Sequence, residues 1–581
     1  MRTSSIVSGC LWLACSGVAG PGAPAADPAP VAKPKPAPPA KLTCAAGVPA
    51  EACTSPGLRL CATGDKDRVG EWRYALIGSL YEPSAGLTEA ELARALRDGK
   101  PAIAASAETR AALSLTGKLG ELAPDARPEV TAKAWAIVPA HQLTAAWKII
   151  PIAGQHPLSA APTTLVAPLC GTAKTKVRNI DPDRVTTIVM SGTTAMTRGM
   201  AIRMDHKGVT YPTQAVKPWF IASDYVHISN EVSFKPKCNA GESKTTMSFC
   251  SKNNYIEMLE DVKTNIIELT GSHLQDQGRQ WIPYTIDMYE KRGWVWFGGG
   301  RNQIEATEPR LVESKGNKLA FVGCNKPWTD RKTIRDDGPG VAACDWDRMR
   351  WQIHDLRRRG YVPIVSIQHD ENYKHVPPSS VVRDLRRIAE AGPAFVQGSQ
   401  AHCAHPWEMH YGAYVHYGGG NIFFDLSMEP LRDATTNKLY IHANKLLAVE
   451  HLYTRLEDAS RPRPLSPRER GQFLGELARA LGQLRRGNPL AEPVHPEPSR
   501  TRPDSFVAGG INQTLAITVP ASFDPKQRYP LIVDLDGTAG DKPEAFVVTR
   551  SGKTRPGAPA ITKFVVAKYP IDPKRVTVNG R

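Results

Sequence analysis

Short apolar runs that end in clusters of polar residues recur through the middle of the chain. Val362–Ile367 and Phe395–Gln397 are apolar runs of strand length, and Val381–Ala391 between them has helical spacing. Polar residues follow each run at once: Gln368, His369, Asp370 and Glu371 after the first, Gln400, His402, His405 and Glu408 after the second. Three upstream segments repeat the design, Thr186–Gly199, Asp224–Phe234 and Asn265–Gly278. Runs of this kind predict buried parallel strands, and in an open α/β sheet ligands bind where the loops converge over the strand carboxyl ends. The pattern predicts an α/β fold with one polar cleft at those ends.

Ahead of this region, Glu71–Leu80, Ala134–Val138 and Ala146–Pro151 predict strands. Thr88–Asp98 predicts a helix that opens on a capping Thr with Glu91 three residues on. Together they predict a small α/β domain over 65–175, after a Pro/Ala-rich linker and Cys-containing segment over 27–64. The cleft-bearing domain is expected over 181–484. It is closed by a capped helix from Pro467 to Arg486, with a linker over 485–505. Arg348–Arg359 is a basic helix whose Met349, Ile353 and Leu356 form a core stripe, leaving its arginines in solvent. Arg383, Arg386 and Arg387 read the same way. The Gly-rich stretch Gly298–Ala306 lacks the Lys-Ser/Thr of a phosphate-binding loop and reads as close packing before a helix.

Composition adds compartment and partner. A length of 581 residues requires at least two domains, and 41% hydrophobic content excludes a disordered chain. A net charge of +16 and a pI near 9.3 favour an acidic polymer or an anionic surface. No basic-aromatic motif points to nucleic acid, and no nucleic-acid partner is expected. Residues 1–26 read as an export signal, with Arg2, the apolar Ile6–Val18 and the small residues Ala23-Pro24-Ala25. Lipid anchoring at Cys15 is the weaker reading. No later run reaches membrane-spanning length. The absence of C-x-x-C pairs argues against zinc-ribbon or thioredoxin-like chemistry. Cys238/Cys250 and Cys324/Cys344 each bracket a polar loop and are expected as disulfides, buried thiols being the alternative. The pairing of Cys44, Cys53, Cys61, Cys170 and Cys403 stays open.

Four motifs stand in a definite order: ELTGSH with Asp276 and Gly278 behind it, GGGRNQIEATEP, GNKLAFVGCN and HYGGGNIFFD. In this order the chain from about Asp181 to Leu484 resembles the CapA-type capsule or poly-γ-glutamate synthesis proteins, a branch of the calcineurin-like metallophosphoesterase superfamily. The resemblance implies a metallophosphoesterase-like layered α/β domain preceded by a small α/β domain. It also implies a site where Asp, Asn and His from successive strand ends hold two divalent metals. This sequence departs from that pattern. Gly192-Thr193 stands where the family has Gly-Asp, so the bridging carboxylate is missing. Ser229-Asn230-Glu231 keeps the Glu of Asn-Leu-Glu, and Ser272-His273 keeps the His of Asn-His. Gln368 takes the expected His position, with His369 one place later. The Gly-His-x-Pro-His segment keeps only His402, and Glu408 and Gly420-Asn421 remain.

On this basis His273, His402 and Glu231 are the expected ligands of at most one divalent ion. The same three and His369 are the catalytic candidates, and Asn230, Asp276, Gln368, Glu371, Gln400, Glu408 and Asn421 the substrate-binding ones. Three uses remain open: a single metal, metal-free proton transfer by histidine, or a cleft that binds polymer without turnover. The expected role is capsule or poly-γ-glutamate biosynthesis or processing outside the cytoplasm. An anionic surface polymer or its precursor is the partner, with peripheral contact to membrane or cell wall. Thr514–Gly537 and the segment from Tyr569 resemble the opening of an esterase-type α/β-hydrolase. No nucleophile-elbow Ser follows, so 506–581 is expected to be an incomplete, non-hydrolytic module.

Overall fold

A computed structural model describes residues 44–123, 134–173, 175–241, 247–326, 338–488, 501–508, 511–520, 527–540, 542–551, 556–569 and 571–580. The expected export signal, the linker before residue 44 and most of the 485–505 linker lie outside these residues.

The first domain is built on Arg68–Gly78, a strand with Val166–Cys170 antiparallel on one side and Ala134–Pro139 antiparallel on the other. Ala102–Ala105 and Leu119–Glu121 extend the sheet in parallel. The helix Glu89–Asp98 begins as its sequence requires: the Thr88 hydroxyl accepts from the Glu91 N–H, and the Glu91 carboxylate accepts from the Thr88 N–H. The domain starts earlier than residue 65. Ala52 and Leu58 are fully buried in its core, and disulfides Cys44–Cys53 and Cys61–Cys170 tie this leading segment down. The composition of the segment hid this, because its two apolar anchors are isolated among turn residues.

The second domain is a sandwich of two sheets. In one, Val295–Phe297, Ile266–Glu268, Tyr225–Asn230 and Thr186–Thr194 run parallel, and Asp433–His442, Lys445–Glu457 and Arg461–Pro464 continue antiparallel. In the other, Asn317–Asn325, Val362–Gln368, Phe395–Ser399 and Ala413–His416 run parallel, with Arg310–Ser314 and Trp407–His410 as antiparallel edges. Ile188, Met190, Phe297, Phe321, Ile364 and Phe395 fill the space between the sheets. Helices Arg198–Lys207 and Trp281–Glu290 cover the outside of the first sheet, and Trp346–Arg358 and Ser379–Ala389 the outside of the second. The result is the layered α/β/β/α arrangement expected from sequence, with all strand carboxyl ends of the parallel strands at one end.

The basic helix carries its core stripe as expected, with Met349, Ile353 and Leu356 buried. The solvent-facing reading of its neighbours fails at Arg386, which is 7% exposed and pairs with buried Glu408 at 2.7 Å. Arg350 is buried too. Ser466 and Glu469 form a second reciprocal cap at the start of Pro467–Gly487. The Gly-rich stretch is a packing element: Gly299–Gly300 pairs with Gly340–Val341 ahead of the helix Gln303–Thr307. Both expected loop disulfides, Cys238–Cys250 and Cys324–Cys344, are formed, and Cys403 is a buried free thiol. Among the described residues no helix is long and apolar enough to cross a membrane.

Tyr81 joins the two domains. Its hydroxyl donates to the Trp407 carbonyl (2.7 Å) and accepts from the Trp407 N–H (2.8 Å), and the two rings stack at 4.6 Å. The C-terminal strands order as Thr501–Ala508, Ile511–Thr518, Phe546–Ser551, Tyr529–Asp534 and Ile571–Asn579. One helix, Ala558–Lys568, packs on them, and Trp351 of the second domain enters their core.

Two expectations follow. Cys61–Cys170 closes a separation of 109 residues. Replacing both cysteines by Ala is expected to cost about 4 kcal/mol of first-domain stability in urea unfolding. The buried histidines set the acid limit. Burial lowers His405 and His410 to about 4 and His416 to about 3. The unfolded chain therefore binds more protons below pH 6.5, and stability that is complete above that pH falls as pH drops toward 4. A loss of about 1.4 kcal/mol per pH unit per histidine is expected, read from denaturation midpoints across that window.

Candidate active site

Strands of the two sheets end face to face, and their terminal side chains meet. Gln368 donates to Glu231 Oε1 (2.7 Å) and to Gln400 Oε1, which also accepts from the Ser272 hydroxyl (3.2 Å). Asn325 donates to Gln368 Oε1 (3.1 Å) and to the Thr270 carbonyl (2.7 Å). Ser229 and Ser399 share a hydrogen bond of 3.2 Å. Glycine permits the approach. A Cβ on Gly192 would sit 2.1 Å from the Gly420 oxygen, and one on Gly271 2.5 Å from the Glu231 Cα. Thr193, where the bridging carboxylate is absent, donates its N–H to the Gly420 carbonyl at 2.9 Å.

Two histidines stand above this floor, each with one nitrogen fixed. His273, bridged to Val232 beside Glu231, donates from Nδ1 to Asp276 Oδ2 at 2.5 Å. The same oxygen accepts from the Phe249 N–H. His402 places Nδ1 2.8 Å from Asn421 Oδ1, and Asn421 Nδ2 donates to the His402 carbonyl, which fixes the amide's orientation. Nδ1 of His402 therefore carries the proton and leaves Nε2 as the working nitrogen, 3.8 Å from Glu371 Oε1. Tyr373 donates to that carboxylate. Burial first, then the Glu371 bond and charge, push the Tyr373 phenol well up, while Arg198 pulls it down and Glu231 adds to the rise. Its hydroxyl thus lies within the fields of all three.

Arg198, which the sequence reading passed over, stands between the histidines. Its guanidinium lies 5.2 Å from the Phe249 ring and 4.8 Å from the Phe424 ring. Phe249 packs against His273 at 4.4 Å, and Phe424 stacks on His402 at 5.2 Å.

The other candidates lie elsewhere. His369 follows Gln368, and successive residues of a strand face opposite ways. It points to the outer helix, with Nε2 3.0 Å from Asp384 Oδ2, so it is not a cleft residue. Asn230 donates to the Val232 carbonyl and to the Tyr289 hydroxyl in the core. Glu408 is fully buried among Arg386, Arg485 and the Tyr417 hydroxyl, on the outer face of its sheet. Burial raises its pKa, but those three partners outweigh it and hold the group below the usual carboxylate range.

The donor set does not fit a metal pair. At the strand tips, amides and hydroxyls are committed to one another, and they carry no charge to offset two cations. Among the described residues His273, His402 and Glu231 do not form a group whose ligand atoms lie within 4.8 Å of one another. Among the described residues, the one trio of candidate ligand atoms lying within 4.8 Å of one another is Asp65, Asp67 and Cys170. That sulfur is in a disulfide and both carboxylates bind Arg59.

Residues 187–426 match the family described as bacterial capsule synthesis protein PGA_cap. The chain is 21% identical over 277 residues to the PGA biosynthesis protein CapA of Bacillus subtilis, spanning 47% of this chain and 72% of that one. It is 23% identical over 184 residues to a protein of Mycobacterium tuberculosis described as a polyglutamine synthesis accessory protein, spanning 29% of this chain and 48% of that one. The calcineurin-like phosphoesterase YfkN of Bacillus subtilis overlays 52% of this chain and 99% of its own, at 12% identity and a TM-score of 0.31. The family match falls within the central domain.

Glu408→Gln separates fold from site. It removes the charge of Glu408 from the buried Arg386–Glu408 ion pair and is expected to cost about 3 kcal/mol in urea unfolding. The remaining folded protein should keep wild-type affinity for whatever the cleft binds, measured by titration calorimetry below the transition.

Proposed function

We propose that this chain acts outside the cytoplasm in the biosynthesis or processing of an anionic surface polymer of the poly-γ-glutamate type. We further propose that its cleft works through histidine rather than a metal pair. The capsule-synthesis family match and the two named relatives support the polymer. Four disulfides among the described residues support an oxidising compartment. The observation that carries the chemistry is the His273–Asp276 pair. A carboxylate on Nδ1–H holds the ring in one tautomer and stabilises the imidazolium that forms when Nε2 takes a proton.

In hydrolysis of a backbone amide, His273 Nε2 removes a proton from water as the oxygen adds to the carbonyl carbon. The amide C–N bond then breaks, and the departing amine receives a proton from an imidazolium. His402, with Nε2 free beside Glu371, is the second proton carrier. The amide and hydroxyl groups of Gln368, Gln400, Ser272 and Asn325, hydrogen-bonded to one another, form an uncharged floor beneath the reacting amide.

The same neutral floor favours a second reading, a cleft that holds polymer without cutting it.

Purified protein incubated with oligo-γ-glutamate is expected to shorten it with or without chelator. His273→Ala should lower the rate about 10²–10⁴-fold while leaving thermal unfolding nearly unchanged. Hydrolysis that disappears with chelator and returns with a divalent ion would refute the metal-free reading. Tight binding with no cleavage, unaffected by His273→Ala, would establish the second reading.

A further inference from the structure

We infer that Arg198 is the specificity residue of the cleft, and that it receives the side-branch carboxylate of a γ-linked glutamyl unit. This rests on the polymer assignment above and goes further, to the group that reads the polymer.

Arg198 is held with unusual completeness. Nε donates to Asp425 Oδ2 at 3.1 Å and Nη2 donates to Oδ1 of the same carboxylate. Asp425 Oδ2 also accepts the Gly199 N–H, and the Arg198 N–H donates to the Ala240 carbonyl at 2.7 Å. Its backbone sits at φ +51°, in the left-handed region that a non-glycine residue occupies only at a cost. The Phe249 and Phe424 rings close on the guanidinium from two sides, so the side chain has one position.

One edge of the fork remains. Among the described residues nothing accepts a hydrogen bond from Nη1, although the side chain is only 17% exposed. Each flanking phenylalanine packs against one of the working histidines, so the open edge lies between the two proton-transfer groups. A surface ion pair would have no need of the two rings or the backbone cost. A guanidinium fork is a planar donor matched to carboxylate geometry, and partial burial strengthens a charged hydrogen bond there.

The surroundings select the anion. Asp425 already offsets the Arg198 charge, and Glu231 and Glu371 place negative charge nearby. A dianionic phosphate monoester would meet about twice the repulsion that a monoanionic carboxylate meets there, so the Nη1 edge discriminates in favour of the single charge. In a γ-linked chain each unit carries one such carboxylate beside the amide to be attacked. Binding it at Arg198 would set that amide between His273 and His402.

The test is binding of oligo-γ-glutamate at low salt, followed by fluorescence anisotropy. Arg198→Lys and Arg198→Gln are each expected to weaken it by about tenfold or more, and the carboxylate-esterified oligomer should bind wild type no better than the Gln variant binds the acid. Arg198→Gln with Asp425→Asn removes the pair without leaving a lone buried charge. It should show the same loss with a wild-type unfolding midpoint. Affinity of Arg198→Lys within twofold of wild type would overturn the assignment, as would equal binding of the esterified oligomer. Tighter, Arg198-dependent binding of polyglycerol phosphate would overturn the carboxylate as the recognised group. Wild type that binds neither the oligomer nor its ester would refute the polymer assignment itself.

Discussion

The central domain depends on two sheets meeting tip to tip. Parallel strands deliver polar side chains to the same end of both sheets, and a buried polar group without a partner costs about 1–3 kcal/mol. The chain answers that cost across the gap: Glu231 by Gln368, Ser272 by Gln400, Ser229 by Ser399, and Asn325 by Thr270. The same answer recurs deeper in the sandwich. Asn437 joins Gln397, His416 and His451, and Ser366 meets Glu268. These contacts fix the relative placement of the sheets, since hydrogen bonds are directional where apolar packing is not. They also decide the chemistry available. Amide groups already paired with each other can orient a neutral backbone but have no charge with which to balance a cation.

Charge operates at two ranges. The net +16 is distributed over the whole sequence and acts at a distance, where it would speed the approach of any anionic partner. The cleft itself is different. Arg198, Asp425, Glu231, Glu371 and Asp276 stand together there, and the acids outnumber the base. The long-range field and the local field are therefore set by different residues, and salt screens the first far more than the second.

Much of this was legible in the sequence. Apolar runs followed by polar clusters identified the strands, their direction and the end at which the cleft lies, because that pattern follows directly from burial on both faces. The pleat resolved what the sequence left ambiguous: a strand that turns Gln368 inward must turn His369 outward. Glu408 was misread because a carboxylate in a histidine-rich segment resembles a site residue until Arg386 and Arg485, 22 and 77 positions away, are seen to enclose it. Asn230 was misread for a similar reason, its neighbour Glu231 being the residue that faces the gap. Arg198 was missed because its identity as a cleft residue is written in Asp425, 227 positions later, and in a backbone angle that composition does not encode. Cys61–Cys170 was equally out of reach, since no local pattern links residues 109 apart.

The Tyr81 hydroxyl has a consequence for assembly. Trp407–His410 is the outermost strand of its sheet, and an outermost strand offers a row of unpaired N–H and C=O groups to any passing chain. Tyr81 occupies both the donor and the acceptor of Trp407, and its ring covers the adjoining indole face. The first domain thus acts as a stopper on that margin. The free ladder of that margin is thereby kept from pairing with another extended chain.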